Sequence, residues 1–216
     1  DFFSRLDRAV EGLLEARHAT GHPDLPGYLP HMGSRYGFPG HEVPLSVFRG
    51  EGQALYMIAR ILRPKITAEC FTGTGYSAAC LAAGWPDGVV YTVDDYSEGG
   101  MGDPGHDVAY QLTQRLGLDN MILVRGPKED LLHVMNDPAW ETPLRADLYF
   151  SDGPYCGFDA LRSEAVHMRH DSGDGRVAGR SFLLLGSSHF SVTCPTVEMR
   201  DRLAAEIGAL MPVELT

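Results

Sequence analysis

Apolar positions recur at helical spacing from the start of the chain. Phe2-Phe3, Leu6, Val10 and Leu13-Leu14 fall on one stripe, which predicts an amphipathic helix over residues 2–19 that packs on the body or on another subunit. The periodicity then stops. From Gly21 to His41 the chain is rich in Gly, Pro, His and aromatic residues, a long irregular stretch of the kind that forms a lid, a binding loop or a wrap-around arm. Helical spacing resumes in 44–62, through Glu51-Gly52-Gln53-Ala54-Leu55-Tyr56-Met57-Ile58-Ala59-Arg60.

Beyond this point short β-favouring runs alternate with helix formers. Lys65–Ala68, Val89–Val93, Met121–Val124, Ala146–Phe150 and Ser181–Leu185 read as strands. Ala78–Ala83 and about Asp107–Leu116 read as helices, with Asp95–Gly105 a long glycine-rich loop. Thr196–Leu210 reads as a last amphipathic helix before the short run Val213-Glu214-Leu215. This order predicts an α/β domain, a doubly wound, Rossmann-like and mostly parallel sheet with helices on both faces. It divides into an N-terminal helix and cap loop over 1–50 and a core over 51–216.

The chemistry concentrates at the first strand–helix junction, Glu69-Cys70-Phe71-Thr72-Gly73-Thr74-Gly75-Tyr76-Ser77. Ligands bind at the carboxyl ends of such strands. Gly73 and Gly75 permit a tight turn and close approach of backbone to a ligand, and the new helix offers N–H groups to an anionic group. Asp94 follows at the end of the second strand, where a carboxylate can bind the two hydroxyls of a ribose. Gly73-x-Gly75-x-x-Ala78 also fits a loose dinucleotide fingerprint. Glu69 argues against NAD, because an acid at that strand end repels a pyrophosphate. The ammonium and sulfonium of S-adenosylmethionine (SAM) suit the same acid.

Composition narrows the partners. A net charge of −11 and a pI near 5.2 argue against nucleic acid or an anionic membrane. No apolar run reaches the roughly 20 residues of a membrane span. Cys70, Cys80, Cys156 and Cys194 show no metal or redox spacing, the expectation for reduced thiols in a cytoplasmic protein. No signal peptide opens the chain, and its first residue is Asp, which reads as a trimmed terminus. In the Gly21–His41 stretch, Tyr28, His31 and Tyr36 suit a substrate wall.

The Glu69–Ser77 string resembles motif I of class I SAM-dependent methyltransferases, and among them the small catechol O-methyltransferase-like group, whose pattern reads Glu-x-Gly-x-x-x-Gly-Tyr-Ser. Phe71 stands where that pattern has its first glycine. The resemblance implies SAM as cofactor, held by Val47, Glu69, Phe71, Gly73, Gly75, Tyr76, Ser77, Asp94 and Asp95, with Lys128 and Glu129 passing the adenine. It places Asp152, after the fourth strand, at the cofactor's amine beside the transferable methyl, with Tyr155 where metal-dependent members carry a lysine. A free tyrosine titrates near pH 10 and is a poor neutral-pH base, so Tyr155 is expected to orient substrate. Metal-dependent relatives have Asp-Asn at the fifth-strand edge. Here that edge reads Gly186-Ser187-Ser188-His189, so no metal is expected and His189 becomes the candidate general base. The class normally closes its sheet with an antiparallel seventh strand, for which no residues remain. The expected function is methyl transfer to a small molecule, most simply at oxygen, by a homodimer. An NAD-linked oxidoreductase and a non-catalytic SAM-binding protein are the alternatives.

Overall fold

The strand–helix alternation builds a five-stranded parallel sheet. The computed structural model describes residues 1–19, 47, 49–96, 102–127, 146–151, 182–185, 190–192, 197–207 and 213–215. Helices α1 (Phe2–Ala19) and α2 (Arg49–Leu62) precede β1 (Ile66–Cys70). Then follow α3 (Tyr76–Gly84), β2 (Val89–Asp94), α4 (Gly102–Leu116) and β3 (Met121–Arg125). The later elements are β4 (Leu148–Ser151), β5 (Phe182–Leu185), β6 (Phe190–Val192), α5 (Val197–Ile207) and β7 (Val213–Leu215).

The sheet order is β3-β2-β1-β4-β5, parallel at every pairing. The chain moves outward from β1 to β2 and β3, then crosses back to β4 on the other side of β1. That reversal opens a crevice at the carboxyl end of β1, between the β1 and β4 exits, where ligands of doubly wound sheets sit.

Side chains alternate across the sheet, and the two faces pack separately. Ala68, Cys70 and Val93 share one small cluster with Ala146. Val90, Leu148 and Phe150 face the other way, into a large cluster that takes in Leu6 and Val10 of α1, Leu55 and Ile58 of α2, Leu81 of α3, Leu112 of α4 and Leu203 of α5. All five described helices therefore lean on one continuous core. Helices α2 and α3 approach most closely at glycines. A Cβ on Gly52 would lie 2.6 Å from the Tyr76 ring, and one on Gly84 only 2.4 Å from the Tyr56 carbonyl oxygen. Asn120 ties the α3–β2 connection to β3, its side-chain amide donating to the carbonyls of Ala82 (3.1 Å) and Gly88 (2.9 Å).

One sequence expectation is corrected. Helix α4 begins at Gly102, inside the stretch expected to be loop. Pro104 is tolerated there because the first N–H groups of a helix have no partner within it. At the far end, β6 and β7 pair with each other in parallel as a separate two-stranded sheet, so the Val213–Leu215 run finds its partner outside the main sheet. The expected cap loop lies outside the described residues. Among those described, no helix is long and apolar enough to cross a membrane.

Candidate cofactor site

The site is made by the turns that leave β1 and β2. Three positions in the first turn take left-handed backbone: Phe71 at φ 72°, Gly73 at φ 53° and Gly75 at φ 79°. Glycine adopts this region without strain, whereas a side chain with a Cβ is disfavoured there by roughly 1–2 kcal/mol. Phe71, which replaces the glycine of the motif it resembles, thus adopts the backbone that a glycine would supply. Its ring packs against the small cluster around Ala68 and Val93.

Four of the turn's N–H groups are engaged within the chain. Phe71 and Thr72 both donate to the Val93 carbonyl, at 2.8 and 3.2 Å. Gly75 donates to the Thr72 carbonyl at 2.8 Å, and Gly73 donates to Asp94 Oδ2 at 2.9 Å. The other Asp94 oxygen accepts from the Tyr96 N–H at 2.7 Å. One carboxylate therefore joins the two turns. Burial pushes the Asp94 carboxyl above its ordinary range, the two backbone bonds pull it down, and the neighbouring Asp95 raises it further. Asp95 itself is exposed.

Beneath the turn lies a buried polar row. Glu69 and Thr92 are register partners on adjacent strands, so their side chains stand together on the face covered by α3. Thr92 donates to Glu69 Oε2 at 2.5 Å, and the Thr72 and Thr92 hydroxyls are 2.7 Å apart. Glu69 is completely covered. Its charge is felt by the Tyr96 phenol, which burial and Asp94 raise first and Glu69 raises further.

The remaining assigned residues sort differently. Ser77 is buried in the first turn of α3. Tyr76, expected to contact cofactor, sends its ring inward: it is completely buried and its hydroxyl donates to Asp7 Oδ1 of α1 at 3.0 Å. Val47 likewise sits within the large apolar core. Both side chains are packed into the apolar core in this arrangement. Tyr76→Phe is expected to remove one buried bond to a charged group, about 2 kcal/mol, or roughly 4–8 °C of melting temperature for a chain of this size. A thermal melt by circular dichroism checks this, and an unchanged midpoint would mean the α1–α3 bond carries no stability. Lys128, Glu129, Asp152, Tyr155, His189, Tyr28, His31 and Tyr36 lie outside the described residues.

Sequence reasoning passed over Thr72, Thr74, Thr92 and Tyr96. Thr74 stands between the two glycines and is buried, and its hydroxyl has no hydrogen-bond partner among the described residues. Tyr96 is buried too, with its backbone at φ 56° and its ring edge-on to His106 at 5.5 Å. Burial first, then the Asp94 carboxylate, push the Tyr96 phenol far above its usual range. It is a hydrogen-bond donor at every physiological pH. An aromatic two residues beyond a strand-end acid was the available signal.

No family model matches the chain, and no curated protein matches it. Solved structures do. An O-methyltransferase from Bacillus cereus in complex with SAH superposes with a TM-score of 0.52 at 19% identity over 82% of this chain. The O-methyltransferase TomG from Streptomyces achromogenes, involved in tomaymycin synthesis and solved with SAM, gives 0.53 at 18% identity over 82% of this chain. The match spans 64% of the length of each of these two. The SAH-bound methyltransferase PaMTH1 from Podospora anserina gives 0.50 at 19% identity, over 94% of this chain and 75% of its own. At these identities the likeness is one of fold, and this chain has the Rossmann-like architecture on which those methyltransferases hold SAM or SAH.

Proposed function

We propose that the chain is a SAM-dependent methyltransferase acting on a small molecule, most simply at an oxygen nucleophile and without a metal. The observation that carries this reading is the acidic turn between β1 and α3. Four of its amides are spent on the Val93 and Thr72 carbonyls and on Asp94. Glu69 beneath it and Asp94 beside it favour a cationic ligand over a phosphorylated one. The unpartnered Thr74 hydroxyl, buried at the same turn, is a polar atom that a bound ligand would satisfy. The neighbouring folds crystallised with SAM or SAH support the same cofactor.

When bound, SAM supplies an electrophilic methyl on sulfonium. The chain's own part is to hold, align and exclude water. A carboxylate offers about four lone-pair positions. Asp94 uses one on each oxygen for Gly73 and Tyr96, and the other pair matches the two hydroxyl donors of a ribose. Gly73, Gly75 and Ser77 line the turn, with Lys128 and Glu129 assigned to the adenine. Asp152 is assigned to the amine, Tyr155 to substrate orientation, and His189 to taking the acceptor's proton. Tyr28, His31 and Tyr36 are assigned to the substrate wall. The organisation is an N-terminal cap over 1–50 on a core over 51–216, in a cytoplasmic homodimer.

Calorimetric titration with SAM, with its demethylated product S-adenosylhomocysteine (SAH), and with NAD, each with and without EDTA, tests this. Micromolar binding of SAM or SAH, indifferent to EDTA, is expected. Loss of SAM binding in EDTA would overturn the metal-free assignment. Binding of NAD alone would sink the methyltransferase reading.

A further inference from the structure

The hydroxyls beneath the glycine turn have a forced order. A threonine hydroxyl carries one hydrogen and accepts through its lone pairs. Thr92 Oγ1 donates its hydrogen to Glu69 Oε2, so in the 2.7 Å contact between Thr72 and Thr92 the donor is Thr72. Thr72 is also hydrogen-bonded to the Tyr96 side chain. The row joins Tyr96, Thr72, Thr92 and the Glu69 carboxylate, with donation running from Thr72 to Thr92 to Glu69. Thr72, Thr92 and Glu69 are buried nine-tenths or more, and so is Tyr96.

The ends of this row lie in different turns. Tyr96 follows β2 and is fixed from three sides: its N–H by Asp94, its ring by His106 and its hydroxyl by Thr72. Glu69 ends β1. Thr72 lies in the turn between Phe71 and Gly73, and Thr92 is the register partner of Glu69. The row therefore connects the turn beside the ribose acid to the buried anion below the crevice, without passing through solvent.

We propose that Thr92, Thr72 and Tyr96 are positioning residues that orient the Glu69 carboxylate beneath the turn and so set the affinity of the site for the amino-acid end of its cofactor. This rests on the SAM reading given above. Glu69 is fully covered, so its effect on a ligand is exerted as charge, and a buried charge acts strongly because little water screens it. Without the Thr92 hydroxyl, Oε2 loses that donor and the neighbouring strand no longer holds the carboxylate's orientation. A ligand carrying an ammonium feels that loss, and a ligand ending at the thioether does not.

The test compares two ligands on the full chain. SAH has the amino-acid end, and 5′-methylthioadenosine has the same adenosine and sulfur without it. Thr92→Val is expected to weaken SAH by about tenfold, the value of one hydrogen bond to a charged group, and to change methylthioadenosine binding by less than about twofold. Thr92→Ser, which keeps the hydroxyl, should restore SAH affinity. Tyr96→Phe, at the far end, should weaken SAH by a smaller factor in the same selective way, and it supplies the test if Thr92→Val does not fold. Equal losses for both ligands would overturn the proposal, since a general collapse of the turn affects both alike. Wild-type SAH affinity in Thr92→Val and Tyr96→Phe would overturn it too, leaving the cofactor reading intact. Failure of the wild type to bind SAH would remove the cofactor reading and this proposal with it.

Discussion

Gly84→Ala is expected to lower the melting temperature by about 6–12 °C. The last residue of α3 lies against the backbone of α2, and a Cβ there would stand 2.4 Å from the Tyr56 carbonyl oxygen and 2.9 Å from Ala59 Cβ. Neither obstacle can rotate away. One is main chain within a helix, and the other is a Cβ fixed to it. The two helices must separate, and they do so inside a core where Ala59, Leu55 and Ile58 are completely buried. Overpacking of a close-packed interior typically costs 1–3 kcal/mol, and a backbone obstacle puts this case near ~3 kcal/mol. At roughly 2–4 °C per kcal/mol for a chain of this size, the shift follows. Gly12→Ala in α1 is the control. The nearest atom to its added Cβ is Arg115 Nη1 at 3.8 Å, so helix propensity alone acts, and the midpoint should hold or rise slightly. Equal midpoints for Gly84→Ala and wild type would mean that α2 and α3 do not meet through glycine.

The close approach matters for the site because α3 carries the glycine turn at its front. The framework of this arrangement was legible in the sequence. The strands were visible as β-favouring runs such as Val89–Val93, and α1 as a stripe through Leu6, Val10 and Leu13, because burial imposes a period on each element. The start of α4 was not visible. Gly102, Pro104 and Gly105 have the composition of a loop, and only the absence of an N–H requirement in a first helical turn lets them be helical.

The site was legible where one residue's conformation decides it, and obscure where two distant residues do. Gly73 and Gly75 were identified by the backbone they permit, and both have positive φ. The bond from Tyr76 to Asp7 was not visible, because the two are 69 positions apart and a local motif says nothing about such a pair. The Thr92 role depends on strand register, since only pairing β1 with β2 sets Thr92 beside Glu69. Asp94 was placed at the second strand end by spacing. Its two backbone bonds come from a turn geometry that spacing does not contain.

Asp94→Ala is expected to weaken SAH binding by about 100-fold. The alanine removes the acceptor proposed for the ribose hydroxyls, and hydrogen bonds to a charged group are worth roughly 1.5–3 kcal/mol each. It also releases the Gly73 and Tyr96 N–H groups that hold the two turns together. A loss near 3 kcal/mol corresponds to about two decades in Kd. Asp94→Asn separates the two contributions, because it keeps the shape and one acceptor while removing the charge. The same residue sets a pH dependence whose sign is fixed. Its carboxyl titrates above the ordinary 3.8 in the folded chain, burial being the main cause. The folded state therefore holds this proton more tightly than the unfolded state does. The resulting stabilisation is complete below 3.8 and is lost as pH rises through the raised value. The wild-type melting temperature minus that of Asp94→Asn should thus be largest in acid and shrink towards neutral pH. A difference that grows with pH would mean that the two backbone donors outweigh burial and hold the carboxylate below its ordinary range. At neutral pH the unliganded site holds a partly desolvated anion with two lone-pair positions open, and two ribose hydroxyls are the donors that relieve it. The binding loss in Asp94→Asn should accordingly be greatest at neutral pH and fall as the wild-type carboxyl protonates, a profile that calorimetry across the same pH range reads directly.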